Sequence, residues 1–368
     1  MGYSWNKKET KKLYYKKLKD LLLNINNKNY YDLLDTKDML HSLRKNKIDF
    51  NKISIITYKV IKETTDMNIN FINNNITEFQ LNKIKSFLNV ALDNEPLYYT
   101  NDLVTDKNDL IITTYNFFQT INKDISYLLL DMFNKSKIKT TNDENLGYAG
   151  ITYYIDDENY IEISKNDTPI VILSHEMLHA YINTKGKNNY KDLDKKDVLY
   201  REVSSILVEL YCNNYLLKKK KITSEEYTKN INSLLIADIY DNTEIIYLLL
   251  DLAEKNIYKY DDISKYIKIK AKENPNFDID IAELYYLCLS DLLIYFYANM
   301  VAIAIYENNK TNPKKGLDTA IDIMLNINLS NEEELFKKYD LRPEESLLNF
   351  IKTNNALVKS KKKLIKSK

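Results

Sequence analysis

The chain is poor in the residues that turn, cross-link and ligate. Its 368 residues include only five glycines, five prolines, two cysteines and three histidines. A large β-sandwich or barrel needs Gly and Pro at its many turns, so this scarcity points to a mainly helical fold. Cys212 and Cys288 have no CxxC partners and cannot build a disulfide framework, so both are read as small core residues. An excess of charge is also missing. Lys and Arg total 53 against 52 Asp and Glu, a net charge of +1, so no nucleic-acid partner is expected. The opening "MGYSWNKKETKK" has no apolar region after its charges and carries Asn6 where a myristoylation pattern has Ser or Thr. A cytoplasmic location is the resulting expectation. The longest apolar run, Leu284 to Tyr306, contains Asp291 and Asn299 and lacks basic flanks. It reads as a buried core helix rather than a membrane span.

Helical periodicity covers the first 140 residues. Leu13, Leu18, Leu21 and Leu22 lie near helical spacing, and Thr77 is a plausible N-cap for the apolar stripe of "TEFQLNKIKSFLNVAL". "DLIITTYNFFQTINKDISYLLLDMF" is long enough for one helix or two. The texture changes at Gly147 and Gly150. "GITYYI" and "YIEIS" are β-branched and aromatic runs around "DDEN", which predicts a β-hairpin. A helix follows, with Thr168 as N-cap, Pro169 in its first turn and an end near Asn183. A second helix is expected from about Lys195, and helices continue from there to a solvated basic tail. The expected organisation is a helical region over 1–140, a catalytic region over 141–355 and a tail over 356–368.

Two of the three histidines, His175 and His179, fall one helical turn apart in "SHEMLHA". That spacing directs both imidazoles from one helix face toward a single tetrahedral Zn²⁺. Glu176 follows the first histidine, where a carboxylate can accept a proton from the attacking water. The competing reading is two histidines on a buried helix by chance. Against it stand the rarity of histidine and the apolar "PIVIL" lead-in. A catalytic zinc needs a third protein ligand and an open position. His41 lies far upstream among polar residues and reads as a surface histidine, and no H-x-x-G-x-x-H extension follows His179. The third ligand is therefore expected to be a carboxylate on the following helix. "REVSSILVEL" offers Glu202 and Glu209 on one face, with Glu202 expected as ligand and Glu209 as the acceptor that orients a histidine ring.

"YIEISKNDTPIVILSHEMLHAYIN" followed by "REVSSILVE" resembles the oligoendopeptidase F / thimet oligopeptidase family of zinc peptidases. The resemblance runs from about Gly147 to Thr353. It implies a zincin-like helical peptidase fold with a small β-sheet beside the H-E-x-x-H helix. It also implies zinc on His175, His179 and Glu202, a general base at Glu176, and gluzincin-type hydrolysis of peptides. The chain departs from the family pattern in three ways. It is much shorter than the usual member, Leu178 stands where the family has glycine, and no histidine follows His179 to help hold the oxyanion. Among C-terminal tyrosines Tyr295 lines up best as the oxyanion donor and Tyr297 second, with Arg201 as a further donor. "YIEIS" is the expected edge strand for a bound peptide. The expected function is cleavage of short peptides. The alternatives are a zinc endopeptidase aimed at one protein, in the manner of a toxin, and a non-catalytic zinc- or peptide-binding relic.

Overall fold

The computed structural model describes residues 76–94, 96–97, 109–141, 149–155, 157–164, 168–185, 199–240, 242–257, 260–273, 289–327 and 331–366. His41, Cys288 and the helix expected around Leu13 to Leu22 lie outside these residues. The chain divides into two compact units. One is Thr77–Glu244 with Leu293–Lys368, and the other is Met1–Ile76 with Ile245–Leu292.

The first unit begins with α1 (Glu78–Asp93). Thr77 caps it reciprocally: its Oγ1 accepts from the Gln80 amide at 3.2 Å, and Gln80 Oε1 accepts from the Thr77 amide at 3.0 Å. The long apolar run that follows is two helices, α2 (Leu110–Ile121) and α3 (Lys123–Asn134). Asn122 makes the break. It ends α2, and its side chain accepts from the amides of Asp124 and Ile125 at 3.0 and 3.3 Å to start α3.

A three-stranded sheet comes next, made of β1 (Ile138–Thr141), β2 (Gly150–Ile155) and β3 (Glu158–Ser164). The expected hairpin is β2–β3, antiparallel, with Ile155 paired to Glu158 across a two-residue turn and Asp157 at φ 62°. β1 was not expected, since the first 140 residues read as helical. It pairs parallel to β3 through Ile138–Ile161 to Thr141–Ser164. The order is β1-β3-β2, so "YIEIS" is the central strand and not an edge. Both of its backbone edges are taken, and among the described residues β1 and β2 are the outer strands.

α4 (Pro169–Lys185) carries the histidine pair. Thr168 starts it, its carbonyl accepting from the Ile172 amide at 3.0 Å. From Pro169 to Asn183 only Ile172 escapes full burial. A helix buried around its whole circumference belongs to the core. Asn159 of β3 clasps it, donating to the Ala180 carbonyl at 3.1 Å while accepting from Asn183 Nδ2 at 2.8 Å.

α5 (Val203–Lys218) packs beside α4. It begins later than the expected Lys195: residues 199–200 form a tight 3₁₀ turn, and Glu202 is the cap residue before the first α-helical turn. Contacts descend α4 as they climb α5. His179 meets Ser205 at 3.4 Å, His175 meets Glu209 at 2.5 Å and Ser174 Oγ meets Cys212 Sγ at 3.5 Å. The two helices are therefore antiparallel. Cys212 is the buried core residue expected.

α6 (Ser224–Ser233) leads into a π-helical stretch, Leu234–Tyr240. α7 (Thr243–Glu254) and α8 (Tyr260–Glu273) carry the described residues of the second unit from Ile245 to Glu273, where Lys255 and Tyr266 both donate to Asp251. α9 (Leu289–Asn309) returns to the first unit. From Leu293 to Tyr306 every residue but Tyr295 is buried, as a core helix requires. Phe296 meets Phe87 of α1 edge-to-face at 5.3 Å. A fully buried phenylalanine contributes on the order of 2 kcal/mol. Among the described residues no helix is long and apolar enough to cross a membrane.

α10 (Pro313–Asn326), α11 (Glu332–Lys338) and α12 (Pro343–Lys366) close the unit. α10 approaches α5 closely because Gly316 has no side chain. A Cβ there would collide with the Tyr211 hydroxyl and lie 2.9 Å from its Cζ. α12 continues to Lys366, into the segment expected to be a frayed tail. Its Ala, Leu and Lys content favours helix.

Candidate metal centre

Three ligand atoms converge between α4 and the start of α5. His175 Nε2 and His179 Nε2 stand 3.0 Å apart. Glu202 Oε2 lies 3.2 Å from the first and 3.0 Å from the second. Glu202 is 5% exposed, Glu176 6% and each histidine 9%, so the group is largely withdrawn from solvent. Helical spacing stacks the two histidines on one face of α4. The turn at 199–202 brings Glu202 back across them before α5 departs.

A cation fits this arrangement. Glu202 Oε2 is buried, with the two Nε2 atoms of the histidine pair as its close polar neighbours. His175 Nδ1 is bonded to Glu209 Oε1 at 2.5 Å, which leaves Nε2 to point its lone pair inward. Four-coordinate zinc with bonds near 2.05 Å sets its ligands about 3.3 Å apart. The observed separations are within about 0.3 Å of that value. These three residues form a possible metal-binding group, and two imidazoles with one carboxylate form a donor set that zinc takes readily.

The electrostatics follow from the same contacts. Burial by itself lowers the pKa of His175, but hydrogen bonds to Glu202 and Glu209 overcome it and hold the imidazole well above the usual histidine range. Burial by itself raises Glu202, but the neighbouring His179 and the bonds to both rings draw it well below the usual carboxylate range. Positive charge is strongly favoured at this spot.

Glu176 turns toward the sheet. Its Oε2 accepts from Thr152 Oγ1 at 2.7 Å, and the same hydroxyl lies 3.0 Å from the Glu176 carbonyl. Thr152 and Gly150 of β2 were not singled out for this site by sequence, although the glycine stood out by rarity. Arg201 is exposed, with Nε 3.7 Å from Glu202 Oε1. Tyr295 stands on α9 at 43% exposure. Tyr297 is fully buried and its hydroxyl is occupied, donating to Glu332 Oε1 at 2.5 Å and lying 3.1 Å from the Tyr200 hydroxyl. Tyr200 also donates to Glu332, and Gln80 Nε2 donates to the same oxygen at 3.2 Å. This clasp removes Tyr297 from the oxyanion donors, since burial and bonding hold its hydroxyl away from any substrate.

No protein-family profile matches the chain, and no curated protein matches it by sequence. Solved structures do match by fold. One is a crystal structure described as an oligoendopeptidase F from Bacillus anthracis str. Ames. It has a TM-score of 0.54 at 12% identity, over 90% of this chain and 68% of that one. A second structure described as an oligoendopeptidase F gives a TM-score of 0.58 at 12% identity, over 90% of this chain and 69% of that one. The mainly helical chain with its small sheet shares the fold of these peptidases.

Proposed function

We propose that the chain is a zinc-dependent peptidase that hydrolyses peptide bonds in short peptides. The observation that carries this reading is the convergence of His175, His179 and Glu202 on one buried point, on a helix that also bears Glu176 and in a chain that shares its fold with solved structures described as oligoendopeptidase F. His175, His179 and Glu202 would hold the metal. A zinc ion there supplies Lewis-acid polarisation of the scissile carbonyl and of water.

The remaining steps belong to the chain. Glu176 accepts the proton of the attacking water at a carboxylate oxygen and delivers it to the leaving amine. Glu209 fixes the tautomer and tilt of His175 through Nδ1. The outer edge of β2 receives the substrate backbone as an added strand. Tyr295, half-exposed on α9, is the proposed donor to the developing oxyanion, and Arg201 is its alternative.

The test uses the full chain loaded with zinc and a quenched peptide library. Glu176→Gln should keep stoichiometric zinc and the wild-type melting temperature while cleavage falls to background, because an amide cannot accept the proton. Cleavage by this variant at the wild-type rate refutes the mechanism.

A further inference from the structure

We infer that Thr152 and Gly150 of β2 are positioning residues that hold the Glu176 carboxylate in register for proton transfer. The inference rests on the proposed role of Glu176 as general base.

Period-two geometry puts Gly150 and Thr152 on the same face of the strand. That face is turned to α4, while Tyr153, the next residue along and on the opposite face, is exposed. The strand itself is tied down: Gly150 pairs with Ile163 and Thr152 with Ile161 of the central strand. From this fixed platform each residue governs one oxygen of Glu176. Thr152 Oγ1 donates to Oε2 at 2.7 Å, a charge-assisted length. The hydroxyl also sits 3.0 Å from the Glu176 carbonyl, so it is seated against the helix turn that carries the carboxylate. Gly150 governs Oε1 by leaving room. A Cβ at this position would lie 2.8 Å from Oε1, 2.9 Å from Glu176 Cγ and 2.7 Å from Ile172 Cγ2. Any side chain there would push the carboxylate off its seat or the strand off the helix.

Two separate features, a hydrogen bond and an omitted side chain, therefore define the same group. Glutamate has three rotatable bonds, and a general base gains from being held where the proton will leave. A purely structural threonine would contribute to folding without touching turnover.

The experiment compares Thr152→Val, Thr152→Ser and Gly150→Ala in the zinc-loaded full chain. Thr152→Val should lower kcat about 10- to 100-fold, the scale of a small misplacement of a reacting group. KM should change less than about twofold, since substrate contacts are untouched, and bound zinc should stay stoichiometric. Thr152→Ser should recover most of the loss because it keeps the hydroxyl. Gly150→Ala should lower kcat by crowding alone, and it serves as the second probe where Thr152→Val folds poorly. Adding Thr152→Val to Glu176→Gln should cost nothing further. Wild-type kcat in both Thr152→Val and Gly150→Ala overturns the inference, as does a loss in Thr152→Val that Ser does not rescue. Crystal structures of wild type and variants give a readout independent of turnover. If Glu176→Gln cleaves as wild type does, the proposed function fails by itself. The positioning claim is then decided by whether the Glu176 carboxylate moves in Thr152→Val and Gly150→Ala. Displacement supports it and an unmoved carboxylate refutes it.

Discussion

Glu202 and Glu332 are both buried glutamates at the start of a helix, and their surroundings treat the charge oppositely. Burial raises the pKa of each. At Glu202 two imidazoles answer with charge and hydrogen bonds, and the net shift is strongly downward. At Glu332 the partners are the neutral donors Tyr200, Tyr297 and Gln80, which lower the pKa by less than burial raises it. Neutral donors only temper the effect of burial, whereas a charged neighbour reverses it. In the Glu332 clasp three neutral donors meet a single carboxylate oxygen, Oε1, while Oε2 is buried beside them. Around Glu202, acceptor atoms face one another, an arrangement that only a proton or a metal cation completes.

The largest expected effect breaks the Glu202 side of this comparison. His179→Ala removes one of the three proposed ligands, so stoichiometric zinc and all peptide cleavage should be lost, as read by metal analysis and the peptide assay. The second breaks the Glu332 side. Glu332→Ala strands three buried donors, each worth on the order of 1–3 kcal/mol when unpaired, and should cost about 3 kcal/mol in denaturant unfolding. Zinc stoichiometry should survive. The same residue gives a pH test. Its folded pKa lies above the unfolded one, so the folded state binds the proton more tightly. Stability from this group is present below the ordinary glutamate value and is lost as pH rises through the raised one. Glu332→Gln should flatten that part of the stability profile. The smallest effect sharpens the comparison. Glu209→Gln removes a carboxylate that orients His175 without ligating, and should weaken zinc binding about 10- to 100-fold in a competition titration while leaving the fold intact.

How much of this was legible depended on how local the signal was. The helix of His175 and His179 announced itself because the metal spacing equals one helical turn and Pro169 marks its start. The hairpin was legible from β-branched runs around a turn. β1 was not, since four residues of "IKTT" carry no periodicity that helix-like surroundings do not swamp, and its pairing with β3 is a long-range event. Missing β1 made "YIEIS" look like an edge. Glu202 was reachable from sequence as a residue, but its place on a turn was not, because the helix periodicity of "REVSSILVEL" continues upstream of the true start. The engagement of Tyr297 with Glu332 was invisible for a similar reason. Nothing in either segment's own pattern says that α9 and α11 meet over a buried carboxylate.

The contact between Gly316 and Tyr211 bears on how this sequence can change. Alanine is favoured over glycine inside a helix by about 1 kcal/mol, so position 316 is under constant pressure toward a residue it cannot accept while a tyrosine ring stands opposite. A smaller residue must appear at 211 first, and only then does the gain at 316 become available. The two positions form a ratchet in which the order of steps matters as much as their sum. Once alanine stands at 316, a return of tyrosine at 211 is blocked by the methyl group.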